Sequence, residues 1–132
     1  MKIPQCITAI GVVVLVVLLL AVPQGRRATY NPTSEITVQG TVQEIQDFYC
    51  PISGAEGTHL LLATDKGTVQ VHVGPKSFLR GNNWNIRVGD HVQVVGSQMR
   101  YAGHEAVVAR TVSSDSGTIS FRKSDGKPLW VD

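Results

Sequence analysis

Two alternating apolar segments near the middle of the chain constrain its fold most. Residues 68–73 read Thr-Val-Gln-Val-His-Val, and residues 91–94 repeat this alternation of polar and apolar side chains. A period of two gives a β-strand one apolar and one polar face. Between the two segments, Pro75 favours the start of one short helical turn, and Gly-Asn-Asn at 81–83 ends it. The centre of the chain is therefore predicted as strand, short helical link and strand.

Further strand-like segments flank this centre on both sides. The predicted strands cover residues 35–48, 58–64, 68–73, 91 to 99 or 101, and 104–112, with a last ribbon at 118–123. The apolar phase of the first strand shifts after Gly40, which indicates a bulge or a sharp bend. The sequence Asp65-Lys66-Gly67 predicts a tight hairpin between the second and third strands. We expect one small all-β domain, because about 100 residues suffice for a single modest core.

The first 24 residues are predicted as a membrane anchor or a signal peptide. A basic residue precedes an uncharged apolar run from Ile7 to Val22, and two arginines follow it. Residues 3–22 are long enough to span a bilayer core of about 30 Å. Pro23 stands where a signal peptide needs a small residue for cleavage, so we expect an uncleaved hydrophobic helix. A linker at 25–34 and the folded domain at 35–132 are expected to follow.

Three stretches carry a family resemblance. They are V-Q-G-T-V-Q-E-I at 38–45, T-D-K-G-T-V-Q-V at 64–71 and V-G-D-H-V-Q-V-V-G at 88–96. Together with the order of three strands, a short helical link and two strands, they resemble an OB-fold. The chain also resembles the small exported bacterial OB-fold proteins, which pair a signal sequence with one barrel of this size. The resemblance implies a five-stranded barrel held at the membrane, facing the periplasm or the extracellular side.

Charge argues against nucleic acid as the ligand of such a barrel. OB-folds that bind single strands need a basic groove with stacking aromatic side chains. The chain carries a net charge of +2, with 12 basic and 10 acidic residues. Three of the basic residues lie before residue 30 and all the acidic ones after it, so residues 30–132 sum to −1. Single-stranded nucleic-acid binding is therefore an alternative and not the main prediction.

The possible metal ligands of the domain are four histidines and one cysteine: Cys50, His59, His72, His91 and His104. None forms a short-spaced ligand pair. His72 alternates with valines and is expected to point out of the core. A two-residue Asp65-Lys66 loop would place His59 opposite His72, whereas a longer loop would place it opposite Val73 on the other face. We interpret both histidines as ordinary solvent-edge residues, with a metal site shared with Cys50 as the alternative.

Cys50 is expected in a loop, within the sequence Phe48-Tyr49-Cys50-Pro51. The other cysteine, Cys6, belongs to the predicted anchor, so the domain offers no disulfide partner. We interpret Cys50 as a small buried hydrophobic side chain. Cross-linking of two chains and metal binding are the alternatives.

Catalytic motifs are absent from the sequence. It contains no G-x-S-x-G elbow, phosphate loop or dinucleotide fingerprint. We predict no enzyme and no cofactor, apart from the metal ion considered above. The chain is predicted to be a membrane-anchored binding module outside the cytosol, whose partner is another envelope protein or a small ligand. The expected ligand-binding residues are Tyr49, His72, Asn82, Asn83 and Trp84, although Trp84 would also suit a plug at one end of the barrel.

Overall fold

The computed structural model describes residues 30–50, 52 and 54–130. It contains six strands and one short helix: β1 (Glu35–Cys50), β2 (Ala55–Thr64), β3 (Gly67–Pro75), α1 (Lys76–Arg80), β4 (His91–Tyr101), β5 (His104–Ser114) and β6 (Gly117–Ser120). The all-β prediction and the short helical link are confirmed. The predicted N-terminal hydrophobic helix lies outside the described residues. Within those residues, no helix has the length and apolar character needed to cross a membrane.

The six strands form one sheet that closes on itself as a ring. Their order is β3-β2-β1-β4-β5-β6, and an additional pairing joins β3 to β5. Neighbouring strands are antiparallel, except that β3 and β5 run parallel over Gln70–His72 and Ala106–Val108. The sixth strand, expected as a last ribbon, pairs with β5 outside the closure. The ring is thus closed by the β3–β5 pairing, with β6 added beside β5.

The long strand β1 bends as expected after Gly40. Its register with β2 shifts between Val42 and Glu44, which is the irregularity predicted from the change of apolar phase. A Cβ atom at Gly40 would lie 2.6 Å from the carbonyl oxygen of Ala63, so the close approach of β1 and β2 requires glycine there. The bend lets β1 pair with β4 along its first half and with β2 along its second half.

The main core fills the inside of the ring. Its fully buried members include the inward-facing side chains Val42, Leu62, Val71, Val94 and Val112, together with Phe121 from the segment after β6. Apolar alternation on each strand directs these side chains to one face. Phe121 closes one end of this core. The rings of Phe78 and Trp84 pack against it there, each with its centroid 5.9 Å from the centroid of the Phe121 ring.

A second buried layer lies where β2, β3 and β5 meet. Residues 57–60, 71–75 and 106–109 are buried without alternation, so both faces of these strands are covered there. The C-terminal segment returns as a small hairpin, with Arg122 bridged to Pro128. This segment lies against the residues that precede β1, since a Cβ atom at Gly126 would lie 2.6 Å from the aromatic ring of Tyr30.

Candidate metal centre

His59 and His72 lie directly opposite each other on β2 and β3. Thr64 pairs with Gly67, so the hairpin loop is the two-residue Asp65-Lys66. Of the two registers that the sequence allowed, the structure has the one that puts both imidazoles on the same face. Their ring centroids are 4.7 Å apart in an edge-on arrangement.

Both histidines are buried, and the prediction that they lie at the solvent edge is wrong. Only 2% of His59 and 3% of His72 is exposed. Phe48 stacks on the ring of His59 with their centroids 3.8 Å apart. Tyr101 packs edge-on against His72 with their centroids 4.7 Å apart. These rings come from the far ends of β1 and β4, so the cover over the outward face is built by distant parts of the chain.

Cys50 completes the group from the end of β1, rather than from the loop expected there. It pairs with Ala55 as the last residue of the strand and is 3% exposed. Its Sγ lies 3.4 Å from Nδ1 of His72. One potential ligand atom each from Cys50, His59 and His72 lies within 4.8 Å of the others. We call this candidate site of three residues the metal centre.

The spacing of these atoms is close to that of a metal-bound set. Metal–sulfur bonds of about 2.3 Å and metal–nitrogen bonds of about 2.0 Å place neighbouring ligand atoms roughly 3.5 Å apart. The Cys50–His72 pair already has this separation. All three potential ligand atoms lie within 4.8 Å of one another, which exceeds this spacing by about 1 Å at most.

Several buried nitrogen atoms at this place have no hydrogen-bond partner within the described part of the chain. They are Nδ1 and Nε2 of His59, Nε2 of His72 and Nε of Arg122. Each unpaired buried polar group costs about 1–3 kcal/mol, and folded proteins pair nearly all of them. The three histidine nitrogens among them include possible metal-binding atoms, whereas Nε of Arg122 can only donate a hydrogen bond.

Burial holds both imidazoles in the form that binds metals. Desolvation, and then repulsion from His59, lowers the pKa of His72 to about 4. Desolvation also lowers the pKa of His59, while the backbone at Gln46 and Gly57 acts in the opposite direction. A metal ion binds neutral imidazole, so neither ring has to lose a proton at neutral pH before binding.

A small cavity of about 10 Å³ lies at the metal centre. That volume accommodates about one water-sized particle. Besides the three donors, its lining includes Val108, Arg122 and Trp130. The arrangement can therefore hold one ion between a thiol and two imidazoles, with apolar and cationic neighbours.

The other expected ligand-binding residues lie elsewhere. Asn82, Asn83 and Trp84 line a groove of about 280 Å³ that shares no lining residue with the metal centre. The Asn82 amide caps α1 by donating to the carbonyl of Phe78, and Trp84 packs on the core. Tyr49 is next to Cys50 in sequence, and its side chain is exposed. The structure thus brings His72 together with Cys50 and His59, but not with the Asn82–Trp84 segment.

Sequence reasoning missed Arg122 and the aromatic cover. Arg122 follows the last strand, where no periodicity marks it as buried, and yet it is 7% exposed. One sequence feature could have indicated that Arg122 is buried. The turn Ser124-Asp125-Gly126, followed by Pro128 and Trp130, is typical of a short hairpin, whose second arm can cover the first.

Comparison with known families places this geometry in context. Residues 34–119 match the MamS/MamX magnetosome protein family, which is well over half of the chain. The chain belongs to this family. The matched range contains Cys50, His59 and His72 and ends before Arg122. No curated protein matches the chain.

Proposed function

We propose that this member of the MamS/MamX family is a non-catalytic OB-fold module that binds one transition-metal ion. The donors are the Cys50 thiolate and the neutral imidazoles of His59 and His72. One observation carries the proposal: three ligand atoms converge in a buried pocket where three histidine nitrogens have no hydrogen-bond partner in the described residues. An ion there would bind those histidine nitrogens that face it and have no hydrogen-bond partner.

The strand order supports the OB-fold assignment. A five-stranded Greek-key barrel with a helical link after its third strand accounts for the ring and for the position of α1. The β3–β5 closure brings the outward face of β3 against the parts of the chain that cover His72. In this interpretation the metal centre lies on the outside of the barrel wall, separate from the apolar interior.

The donor set selects the class of ion. Thiolate and imidazole are ligands of copper, zinc and related transition metals, whereas magnesium and calcium require oxygen ligands. Asp47, the nearest carboxylate along β1, accepts a hydrogen bond from Thr58 and pairs with Lys76. Its oxygens are therefore engaged at the rim of the site.

We base the proposed cellular setting on the sequence and the family. The uncharged apolar run before residue 24 supports a membrane anchor, and the nearly neutral charge of the domain favours a protein or small ligand over nucleic acid. The family description supports a role connected with the magnetosome. We propose that the ion is what this anchored module binds and presents to an envelope partner.

Titration of the full chain with metals tests the proposal. The protein, in detergent micelles and under reducing conditions, is freed of metal and titrated with Cu⁺, Zn²⁺ and Co²⁺ against coloured chelators. We expect saturation at one ion per chain for at least one of these metals. With Co²⁺ we also expect thiolate charge-transfer absorbance, because cysteine would be a ligand.

A matched pair of cysteine variants locates the ion. Cys50→Ser should abolish stoichiometric binding, whereas Cys6→Ser should leave it unchanged. Absence of saturable binding for all three metals would refute the proposal. Equal binding by wild type and Cys50→Ser would also refute it.

A further inference from the structure

We propose that Arg122 makes the metal centre a three-coordinate site that prefers the monovalent cation Cu⁺ to Zn²⁺. This inference rests on the proposed function, because it concerns the choice of ion at the same three donors. It assigns a role to a buried arginine that lies outside the range matched by the family.

Arg122 is a buried cation without a carboxylate partner among the described residues. Its Nη1 donates to the carbonyl oxygen of Gly126 at 2.9 Å, and its Nε has no partner there. The guanidinium lies between two aromatic rings, 5.5 Å from the centroid of Tyr30 and 5.1 Å from that of Trp130. Aromatic faces stabilise a cation, but they do not neutralise its charge.

The group that can balance this charge is the thiolate of Cys50. Arg122 and Cys50 line the same cavity, so a negative charge on the sulfur would lie close to the guanidinium. Tyr30 also faces the guanidinium, but burial and Glu35 raise the pKa of its hydroxyl to about 12, so it is neutral at pH 7. In the metal-bound state, where cysteine is a thiolate, the charges of Cys50 and of the Arg122 guanidinium sum to zero apart from the ion.

The charge of the ion then decides the electrostatic cost. Cu⁺ leaves one net positive charge in the buried site, whereas Zn²⁺ leaves two. At separations of several ångströms in a protein interior, each added unit of like charge lowers affinity by roughly 10- to 100-fold. The guanidinium therefore penalises a divalent ion about twice as strongly, in free energy, as a monovalent ion.

Coordination number favours the same ion. The site offers three protein donors and a cavity of only about 10 Å³. Structural zinc sites are almost always four-coordinate, and soft thiolate ligands suit Cu⁺. Val108 and Trp130 line the cavity with apolar atoms, and the hydroxyl of Thr58, which also lines it, donates a hydrogen bond to Asp47.

Competition titrations of the full chain under anaerobic conditions test this inference. For the wild type, we expect binding of Cu⁺ to persist when Zn²⁺ is in excess. Arg122→Met removes the charge and should raise the affinity for Zn²⁺ relative to Cu⁺ by about tenfold or more. Arg122→Lys keeps the charge and should keep the preference, and Arg87→Met removes an exposed charge and should leave the ratio unchanged.

The wild type provides an independent readout if Arg122→Met fails to fold. X-ray absorption of the copper-loaded chain should show one sulfur and two nitrogen ligands. Four ligands, or preferential binding of Zn²⁺ by the wild type, would overturn the inference. An unchanged Zn²⁺ to Cu⁺ ratio in folded Arg122→Met would do the same.

These outcomes are separate from failure of the proposed function. If no metal binds, or if Cys50→Ser binds metal as well as the wild type does, the metal centre itself is refuted. If one ion binds through Cys50 but divalent ions are preferred, the metal centre stands and only the role of Arg122 falls.

Discussion

Two clusters of polar side chains lie near each other in this molecule and differ in whether their atoms are paired. In the first, which we call the ion-pair cluster, Arg110 donates two hydrogen bonds of 2.8 Å to the carboxylate of Glu35, which also accepts from the Tyr30 hydroxyl. The side chains of Arg110 and Glu35 are each 26% exposed. In the second, the metal centre with Arg122, the groups are buried and several of their nitrogens lack partners in the described structure.

The pKa shifts of the two clusters also have different causes. Hydrogen bonds from Arg110 and Tyr30 lower the pKa of Glu35, and Glu35 raises the pKa of Arg110, so each charge is favoured by its neighbour. At the metal centre, burial is the first cause and lowers the pKa of both histidines. The groups of the ion-pair cluster are thus partnered by one another, whereas several nitrogens of the metal centre have no partner among the described residues.

The largest expected difference between the clusters is the response to an ion. A ligand that binds only the folded state stabilises it by about 2.7 kcal/mol at 100 times its dissociation constant. Chemical unfolding of the full chain with and without Cu⁺ at that excess should show this gain. Glu35→Gln should keep the gain, whereas Cys50→Ser should lose it. A gain of similar size in Cys50→Ser would place the ion elsewhere.

A smaller effect is expected from substituting leucine into each cluster of the metal-free protein. His59→Leu removes two unpaired buried nitrogens and should raise the free energy of unfolding by about 1 kcal/mol. Glu35→Leu leaves Arg110 without its carboxylate and should lower that free energy by about 1 kcal/mol, since the pair is only partly buried.

Urea unfolding in the presence of a chelator measures both changes. Opposite signs would support the contrast between an incomplete and a complete cluster. A loss of stability in His59→Leu comparable to that in Glu35→Leu would show that the histidine stabilises the fold without an ion.

The smallest expected effect is the alkaline response of the ion-pair cluster. Burial, and then the hydrogen bond and charge of Glu35, raises the pKa of Tyr30 to about 12, from about 10 in an unfolded chain. Because the folded-state pKa is higher, the contribution of Tyr30 to stability is complete below pH 10 and is lost as pH rises from 10 to 12.

Phenolate absorbance and urea unfolding across this pH range test the prediction. Tyr30→Phe should remove the late-titrating hydroxyl and flatten the fall in stability between pH 10 and 12. An unchanged pH profile in Tyr30→Phe would assign the alkaline response to other groups.

The sequence predicted local features of the fold well because they depend on neighbouring residues. Alternation predicted the strands, and the phase shift predicted the bend of β1. A hairpin loop of either two or three residues after Thr64 left two possible registers for His59 and His72. The choice between the registers was open because Gly67 fits either a two- or a three-residue turn. The structure shows it as the first residue of β3.

The burial of the metal centre could not be predicted in the same way. His72 has the alternation of an outward-facing residue, and it is covered only because Tyr101, Cys50 and the C-terminal hairpin reach it from distant positions. Arg122 belongs to a short segment without strand periodicity. Its burial depends on tertiary packing against Tyr30 and Trp130, which no local pattern records.

The order of the strands along the chain also sets the order in which the parts of the metal centre are synthesised. β1, which ends at Cys50, is made before the β2–β3 hairpin that carries His59 and His72, and hairpins are local elements that form fast. Arg122 is made after all of them, because it follows β6. A growing chain thus holds the three proposed ligands before it holds the arginine to which we assign the choice between ions.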